Sequence, residues 1–259
     1  MVKRIESTSN PIVKAARKLR DKNDRHISGI YMVEGENTVA ELLAYKKELV
    51  QSLFITSKYA PEYQNCDFDV YEVTDRVMDY MCDTKTPQGI AAQVRMDFSE
   101  PDFKAGSFYV YLDGVRDPGN VGAVIRTADA AGADAVILSP DCADIYNPKT
   151  VRSAMGSLFH IKTVVESAHL EYMKKALEGG VKAFAGALDA KDLLYDADMN
   201  GKIAVCVGNE AHGISDELKA LNGVCGVKIP MIGEAESLNA SVAAGILIYE
   251  AVRQRRCSL

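Results

Sequence analysis

Beyond residue 108 the chain alternates short apolar runs with amphipathic stretches. Runs at 108–112, 135–138, 161–165, 181–185, 203–207 and 224–229 read as buried strands, separated by helical periodicity near 120–131, 170–178, 216–222 and 239–253. Apolar strands spaced by helices predict an α/β fold with a mostly parallel sheet covered on both faces. The preceding part carries a less regular α/β pattern. Asn10-Pro11 ahead of IVKAARKLR predicts a helix start, with proline in the first turn where its missing N–H costs little. Tyr31–Val33, Leu53–Ile55, Val70–Tyr71 and Ile90–Val94 read as strands, and Asn37–Tyr45 and Asp75–Met81 as helices. The polar, aperiodic stretch Ser99–Ser107 reads as a linker. The predicted organisation is therefore a small α/β domain over 1–98, a linker over 99–107 and a larger domain over 108–259.

Composition changes this picture little. With 47% hydrophobic and 25% charged residues among 259, the chain can build a core without staples. No apolar run approaches the length of a membrane span, and the start lacks the apolar segment of a secretory leader, so a cytoplasmic protein with no membrane partner is expected. The six cysteines are scattered with no C-x-x-C pair, and the four histidines are dispersed. Reduced, mostly buried thiols and no metal cluster are expected.

Charge matters more for its distribution than its sum. The net charge of −6 disfavours nucleic acid overall. Residues 1–30, however, hold eight basic residues (Lys3, Arg4, Lys14, Arg17, Lys18, Arg20, Lys22, Arg25) against Glu6, Asp21 and Asp24. A solvated amphipathic face and an RNA-binding patch explain that segment equally well.

Three loops of the larger domain concentrate glycine and short polar residues where the strands should end, and ligands of parallel sheets gather there. The first runs from Leu112 to Ala128, with Asn120 at a helix-capping position and Val121, Val124, Ile125 and Ala128 as a buried stripe. Gly122 and Arg126 share one face, otherwise small, where a guanidinium could meet a phosphate or sugar. Simple capping by Asn120 and an ion pair of Arg126 with Asp129 or Asp117 are the structural alternatives. The spacing Gly119-x-x-Gly122 is not G-x-G-x-x-G, which sets a dinucleotide-binding reading well behind. The second loop, Gly208–Gly213, brackets Glu210, whose carboxylate could merely complement a helix dipole. The third, Ile229–Ser241, contains Ser237 and Asn239, either of which could be a cap. Each loop alone favours a structural role; three on one domain favour a polar pocket.

Together these loops resemble the three signature motifs of the SpoU/TrmH family of SPOUT methyltransferases. The matching residues are Asn120-Val-Gly122-Ala-Val-Ile-Arg126, Gly208-Asn-Glu210-Ala-His-Gly213, and Ile229-Pro-Met231 with Ser237-Leu-Asn239-Ala-Ser241. Ser9-Asn-Pro11-Ile-Val-Lys14, Val33-Glu34-Gly35 and Thr86-Pro87-Gln88-Gly89 are similar to the L30e/L7Ae-like RNA substrate-binding domain that precedes this unit in the family. The resemblance implies an α/β catalytic domain with a parallel sheet and a deep trefoil knot, S-adenosylmethionine as cofactor, no metal, and a homodimer with the C-terminal helix at its interface. It places Gly208, Ile229, Met231 and Leu238 around the cofactor, and Asn120, Arg126, Glu210, Ser237 and Asn239 at the catalytic site.

The implied activity is methylation of a ribose 2′-hydroxyl in RNA. Arginine is a poor general base because guanidinium stays protonated. Arg126 is therefore expected to grip the adjacent phosphate, which takes the proton, rather than to stabilise an alkoxide directly. Ribosomal RNA is the expected substrate ahead of transfer RNA, and a catalytically inactive RNA-binding protein of the same fold is the alternative from another class.

Overall fold

In the computed structural model, which describes residues 2–257, every apolar run beyond residue 108 is a strand. The chain forms two compact units, one of residues up to Phe98 together with Tyr146–Phe159, the other of Ser99–Ile145 together with the chain from His160 on.

The first unit is built on a mixed five-stranded sheet of β1 (Lys3–Ile5), β2 (Ile30–Glu34), β3 (Val50–Ile55), β4 (Asp69–Val73) and β5 (Ile90–Arg95), in the order β1-β4-β3-β5-β2. β5 runs antiparallel to both its neighbours, and the remaining pairs are parallel. Four helices cut from the same segment are α1 (Pro11–Lys18), α2 (Lys22–Ser28), α3 (Glu36–Tyr45) and α4 (Asp75–Met81). The Asn10 side chain caps α1 by accepting from the Ile12 N–H at 2.9 Å. Val13 and Ala16 of α1 and Val77, Met78 and Met81 of α4 join Phe54 and Tyr71 in one core.

Two elements here were not visible in the hydrophobic pattern. β1 is a polar edge strand that pairs parallel with β4. α2 has no apolar stripe; its buried residue is Arg25, only 1% exposed, which donates to the main-chain oxygens of Leu19 and Arg20. A further helix of this unit comes from much later in the chain. It is Pro148–Ala154, labelled α6 in chain order, capped by Asn147 through the same Asn-Pro signature that opens α1.

The second unit carries a seven-stranded sheet in which every pairing is parallel. Its strands are β6 (Phe108–Asp113), β7 (Ala135–Leu138), β8 (Lys162–Val165), β9 (Lys182–Gly186), β10 (Asp192–Leu193), β11 (Ile203–Gly208) and β12 (Val224–Lys228), in the order β10-β12-β9-β11-β6-β7-β8. Its helices are α5 (Pro118–Ala130), α7 (Glu171–Glu178), α8 (Asp216–Lys219) and α9 (Ala240–Cys257). Alternation within β6 shows why both faces must be covered. Tyr109 and Tyr111 join Met173 and Ala176 of α7 and Leu218 of α8 in one core, while Val110 and Leu112 are also fully buried. α9 packs against α5 and β11. The two central strands, β6 and β11, therefore end in the middle of the sheet, and the loops leaving them meet there.

Among the described residues Cys82, Cys142 and Cys206 are buried, Cys66 is half-buried and Cys225 is exposed on β12. Burial pushes the Cys142 thiol up to about 11 and the Cys82 and Cys206 thiols higher still. Those three are packing groups rather than nucleophiles.

Candidate active site

The first loop folds differently from its sequence expectation at one residue. Asp117, not Asn120, caps α5: its Oδ1 accepts the Asn120 N–H at 3.0 Å, and Pro118 occupies the first helical position. An aspartate directly before such a proline is a capping signature that sequence reading passed over. The correction matters because it leaves the Asn120 side chain free for other work. Val121, Val124, Ile125 and Ala128 are fully buried as expected and anchor α5 on the sheet.

Asn120 then joins the other two loops. Its Nδ2 donates to Glu210 Oε1 at 2.9 Å, and its Oδ1 accepts from Asn239 Nδ2 at 3.1 Å. An ionised carboxylate only accepts, which assigns the Asn120 amide orientation without ambiguity. Glu210 also accepts the main-chain N–H groups of Arg116 and Asp117, each at 3.2 Å, at the entrance to α5. Burial pushes its carboxyl upward, but the bonds from Asn120 and from the main-chain N–H groups outweigh that and hold it below the usual carboxylate range. Glu210 is thus a persistent anion that fixes geometry and is poorly suited to taking up a proton at neutral pH.

The glycines beside Glu210 make its loop tight. Asn209 and Gly213 exchange both main-chain hydrogen bonds at 2.9 Å. A Cβ on Gly208 would lie 2.2 Å from the Gly213 carbonyl carbon, so no side chain fits there. Asn209, unflagged by sequence reading, ties the loop to the first one by donating from Nδ2 to the Gly114 oxygen at 2.6 Å.

The third loop has two parts with opposite character. Asn239 caps α9, accepting from the Ser241 N–H at 2.9 Å and the Ser241 hydroxyl at 2.7 Å, while its amide reaches Asn120. Capping and site-building are therefore performed by one side chain. Residues 231–238 by contrast make no hydrogen bond or ion pair to any described residue. Ser237 is exposed there and joins no partner of the Asn120 network, whereas Ile229, Met231 and Leu238 are half-buried and Ile232 is almost wholly exposed.

Arg126 stands on the exposed side of α5 and makes no hydrogen bond or ion pair with a described residue. Both rival partners are engaged elsewhere: Asp117 with the α5 cap, and Asp129 with His160 Nδ1 at 3.0 Å. The structural alternative for Arg126 therefore falls away. The arrangement offers an unpaired guanidinium, a rigid chain Glu210–Asn120–Asn239, and a strip of unbonded peptide groups flanked by apolar side chains. Chemically it can hold an anion and a part-apolar ligand at once.

Comparison with known proteins agrees with this geometry. Residues 107–249 match the SpoU rRNA Methylase family, and residues 10–92 match the MRM3-like substrate binding domain. The chain is 36% identical, over 96% of its length and 98% of the relative's, to the Bacillus subtilis 23S rRNA (guanosine(2553)-2′-O)-methyltransferase RlmP. It is 35% identical, over 70% of its length and 66% of the relative's, to a 23S rRNA (uridine(2479)-2′-O)-methyltransferase of Streptomyces viridochromogenes. Among solved structures, the AdoMet-bound rRNA methyltransferase from Sinorhizobium meliloti superposes with a TM-score of 0.86 at 32% identity, covering 97% of this chain and 98% of that one. With residues 107–249 matched by the methylase family and residues 10–92 by the substrate binding domain ahead of it, the chain belongs to the SpoU rRNA methylase family.

Proposed function

We propose that the protein methylates a ribose 2′-hydroxyl in RNA, with ribosomal RNA as the substrate and S-adenosylmethionine as the methyl donor. The observation that carries this reading is the bonded chain Glu210–Asn120–Asn239, which gathers all three loops at α5, the helix whose Arg126 makes no hydrogen bond or ion pair with a described residue. The relatives acting on 23S rRNA support the choice of RNA.

The unbonded segment 231–238 suits the cofactor. Its open N–H and C=O groups can meet an adenine edge and an amino-acid end, and Ile229, Met231 and Leu238 can cover the ring. Gly208, which admits no side chain, keeps the opposite lip bare. Bound there, S-adenosylmethionine supplies an already activated electrophilic methyl, so the protein's part is to position the ribose and dispose of its proton. Arg126 grips the phosphate next to the target ribose, and that phosphate accepts the hydroxyl proton. Glu210, kept ionised, holds Asn120 and the entrance of α5 in register, and through Asn120 orients Asn239. Ser237 faces the ribose or cofactor from the open segment.

A homodimer through α9 belongs to the same reading. Val242 and Tyr249 are half exposed at 51% and 50%, and with Ile246 they follow the i, i+4, i+7 spacing of one helix face. The deep trefoil knot expected from the motif resemblance is likewise part of the proposal.

The test is methyl transfer from labelled S-adenosylmethionine to ribosomal and transfer RNA lacking native modifications, followed by digestion to nucleosides. A labelled 2′-O-methylnucleoside from the ribosomal pool is expected. Label in transfer RNA alone would reassign the substrate, and cofactor binding without any transfer would leave an inactive RNA-binding protein.

A further inference from the structure

A cleft of about 620 Å³ opens beyond the carboxyl ends of β6, β7 and β11, within the range of roughly 300–1,000 Å³ typical of small-molecule sites. Neither Arg126, Asn120 nor the 229–239 segment lines it. It nevertheless shares a wall with the Glu210 network, because Gly114, Arg116, Asn209 and Gly213 belong to the loops that Glu210 ties together.

Planar groups and carboxylates dominate its chemistry. His169 is fixed by a bond from Nε2 to Asp113 Oδ1 at 2.9 Å; Asp113 is only 4% exposed, and its other oxygen accepts the Ser215 N–H at 2.7 Å. His212 is exposed on the opposite loop, its Nδ1 3.1 Å from Asn209 Oδ1. The Arg116 guanidinium makes no bond to a described residue. Asp141 is held by the fully buried Ser139, whose hydroxyl donates to Oδ1 at 2.6 Å while accepting the Gly114 N–H at 2.8 Å. Its Oδ2 lies over Gly114, where φ is +70° and a Cβ would stand 2.9 Å away, and it meets no donor among the described residues. A carboxylate is thus locked in place with an oxygen left open to the cleft.

We infer that this cleft is a subsite for a guanine base of the bound RNA, an inference that rests on the RNA-methylating function proposed above. The carboxylates of Asp141, Asp216 and Glu217 repel a phosphate, so the cleft suits an uncharged base, with Arg116 left to meet the backbone or stack. Unstacked RNA bases are recognised by stacking on histidine or arginine planes and by hydrogen bonds to their edges. Guanine presents two adjacent N–H donors on its Watson–Crick edge, one for the open Oδ2 of Asp141 and one for the lone pair of Oδ1 that the Ser139 hydroxyl leaves over. Adenine, cytosine and uracil each place an acceptor there, against the charge. The base is either that of the methylated nucleotide or that of a neighbour in the strand.

The experiment titrates the full chain with the 5′-monophosphates of guanosine, inosine, adenosine and uridine, following the imidazole proton resonances of its four histidines, His26, His160, His169 and His212. Guanosine monophosphate is expected to move His169 and His212 and to leave His26 and His160 in place. Inosine monophosphate, which lacks the 2-amine, and the Asp141→Asn variant should each weaken binding about tenfold, as loss of a hydrogen bond to a charged acceptor predicts. The unmoved His160 resonance, from the same unit as Asp141 and bonded there to Asp129, reports an intact fold in the variant. Equal shifts from all four nucleotides, no shift at His169 and His212, or unchanged affinity in Asp141→Asn overturns the inference. This titration contains no methyl transfer, so its failure and a failure of the transfer assay are separable. In the transfer assay, a spread of product from 2′-O-methylguanosine to other nucleosides in Asp141→Asn identifies the target base. An unchanged product nucleoside with a lower kcat/KM identifies a neighbouring base, and an unchanged product and kcat/KM counts against the subsite.

Discussion

The basic segment of the N-terminal unit and the arginines at the loops of the C-terminal unit meet opposite fates. In the N-terminal unit the basic segment is largely consumed by the fold. Arg25 is buried and bonded to Leu19 and Arg20 oxygens, Arg17 donates to the Tyr80 oxygen and lies over its ring, and Lys3 and Arg4 pair with Asp69 and Glu6. Lys14, Lys18 and Lys22 remain exposed. In the C-terminal unit Arg253 and Arg255 on α9 are bonded, whereas the Arg126 and Arg116 side chains make no hydrogen bond or ion pair with a described residue; the carboxylates of Asp117, Asp129 and Glu210 are engaged elsewhere. The lesson is that a count of charges says little about binding; the groups left unpaired after folding say more.

The polar groups at loop ends follow the same division. In the first unit Glu34 accepts the Asp83 and Thr84 N–H groups and Gln88 accepts the Glu36 N–H, which rigidifies the Thr86–Gly89 loop through its own side chains. In the second unit Glu210, Asn120 and Asn239 bond one another and leave residues 231–238 open.

Breaking an unpaired arginine should damage chemistry and spare the fold. Arg126→Ala is expected to lower methyl transfer by about a thousandfold, the upper range for removing one positioned cationic or donor group, with little change in S-adenosylmethionine affinity. Loss of cofactor binding with residual transfer intact would reverse the assignment. Breaking a buried arginine should do the converse. Arg25→Met leaves two carbonyl groups without a donor and should cost about 2–3 kcal/mol in urea unfolding. Cofactor affinity of the folded protein should stay unchanged.

Smaller effects sharpen the contrast. Lys14→Ala with Lys18→Ala removes two exposed, unpaired cations and should weaken RNA binding about tenfold at low salt, the difference fading as salt rises. Stability should move by less than about 0.5 kcal/mol, so a large loss of stability would place these lysines among the structural group. The smallest effect concerns pH. Because the folded protein holds Glu210 below the usual carboxylate range, its stabilising contribution is complete above the unfolded value and is lost as pH falls through the lowered folded one. Denaturation of the wild type and Glu210→Gln across the acid range should converge at the low end; parallel curves would show that the carboxylate's charge contributes nothing.

Much of this was legible before any coordinates. Apolar runs located the strands of the parallel sheet, and Asn10-Pro11 marked α1, because burial and capping depend on neighbouring residues. What escaped had no local apolar signal or a non-local purpose. β1 is polar, β10 is only two residues long, and α2 is anchored by a buried arginine rather than a stripe. α6 was announced by Asn147-Pro148, yet its place with the N-terminal unit could not be read from a segment lying between β7 and β8. Asn120 was misplaced as a cap because a capping asparagine and one in the first turn differ by a few residues of register.

The sequence by itself determined the element types, the three polar loops and their family likeness, since these depend on residue identity and short spacing. Only the tertiary structure decided which polar groups meet and which stay free. Asn120 bonds Glu210 from 90 residues away and Asn239 from 119, and Asp129 turns to His160 rather than to Arg126. Those choices depend on where parallel strands end in one sheet, which brings distant loops within hydrogen-bond distance and leaves the Arg126 guanidinium open to a ligand.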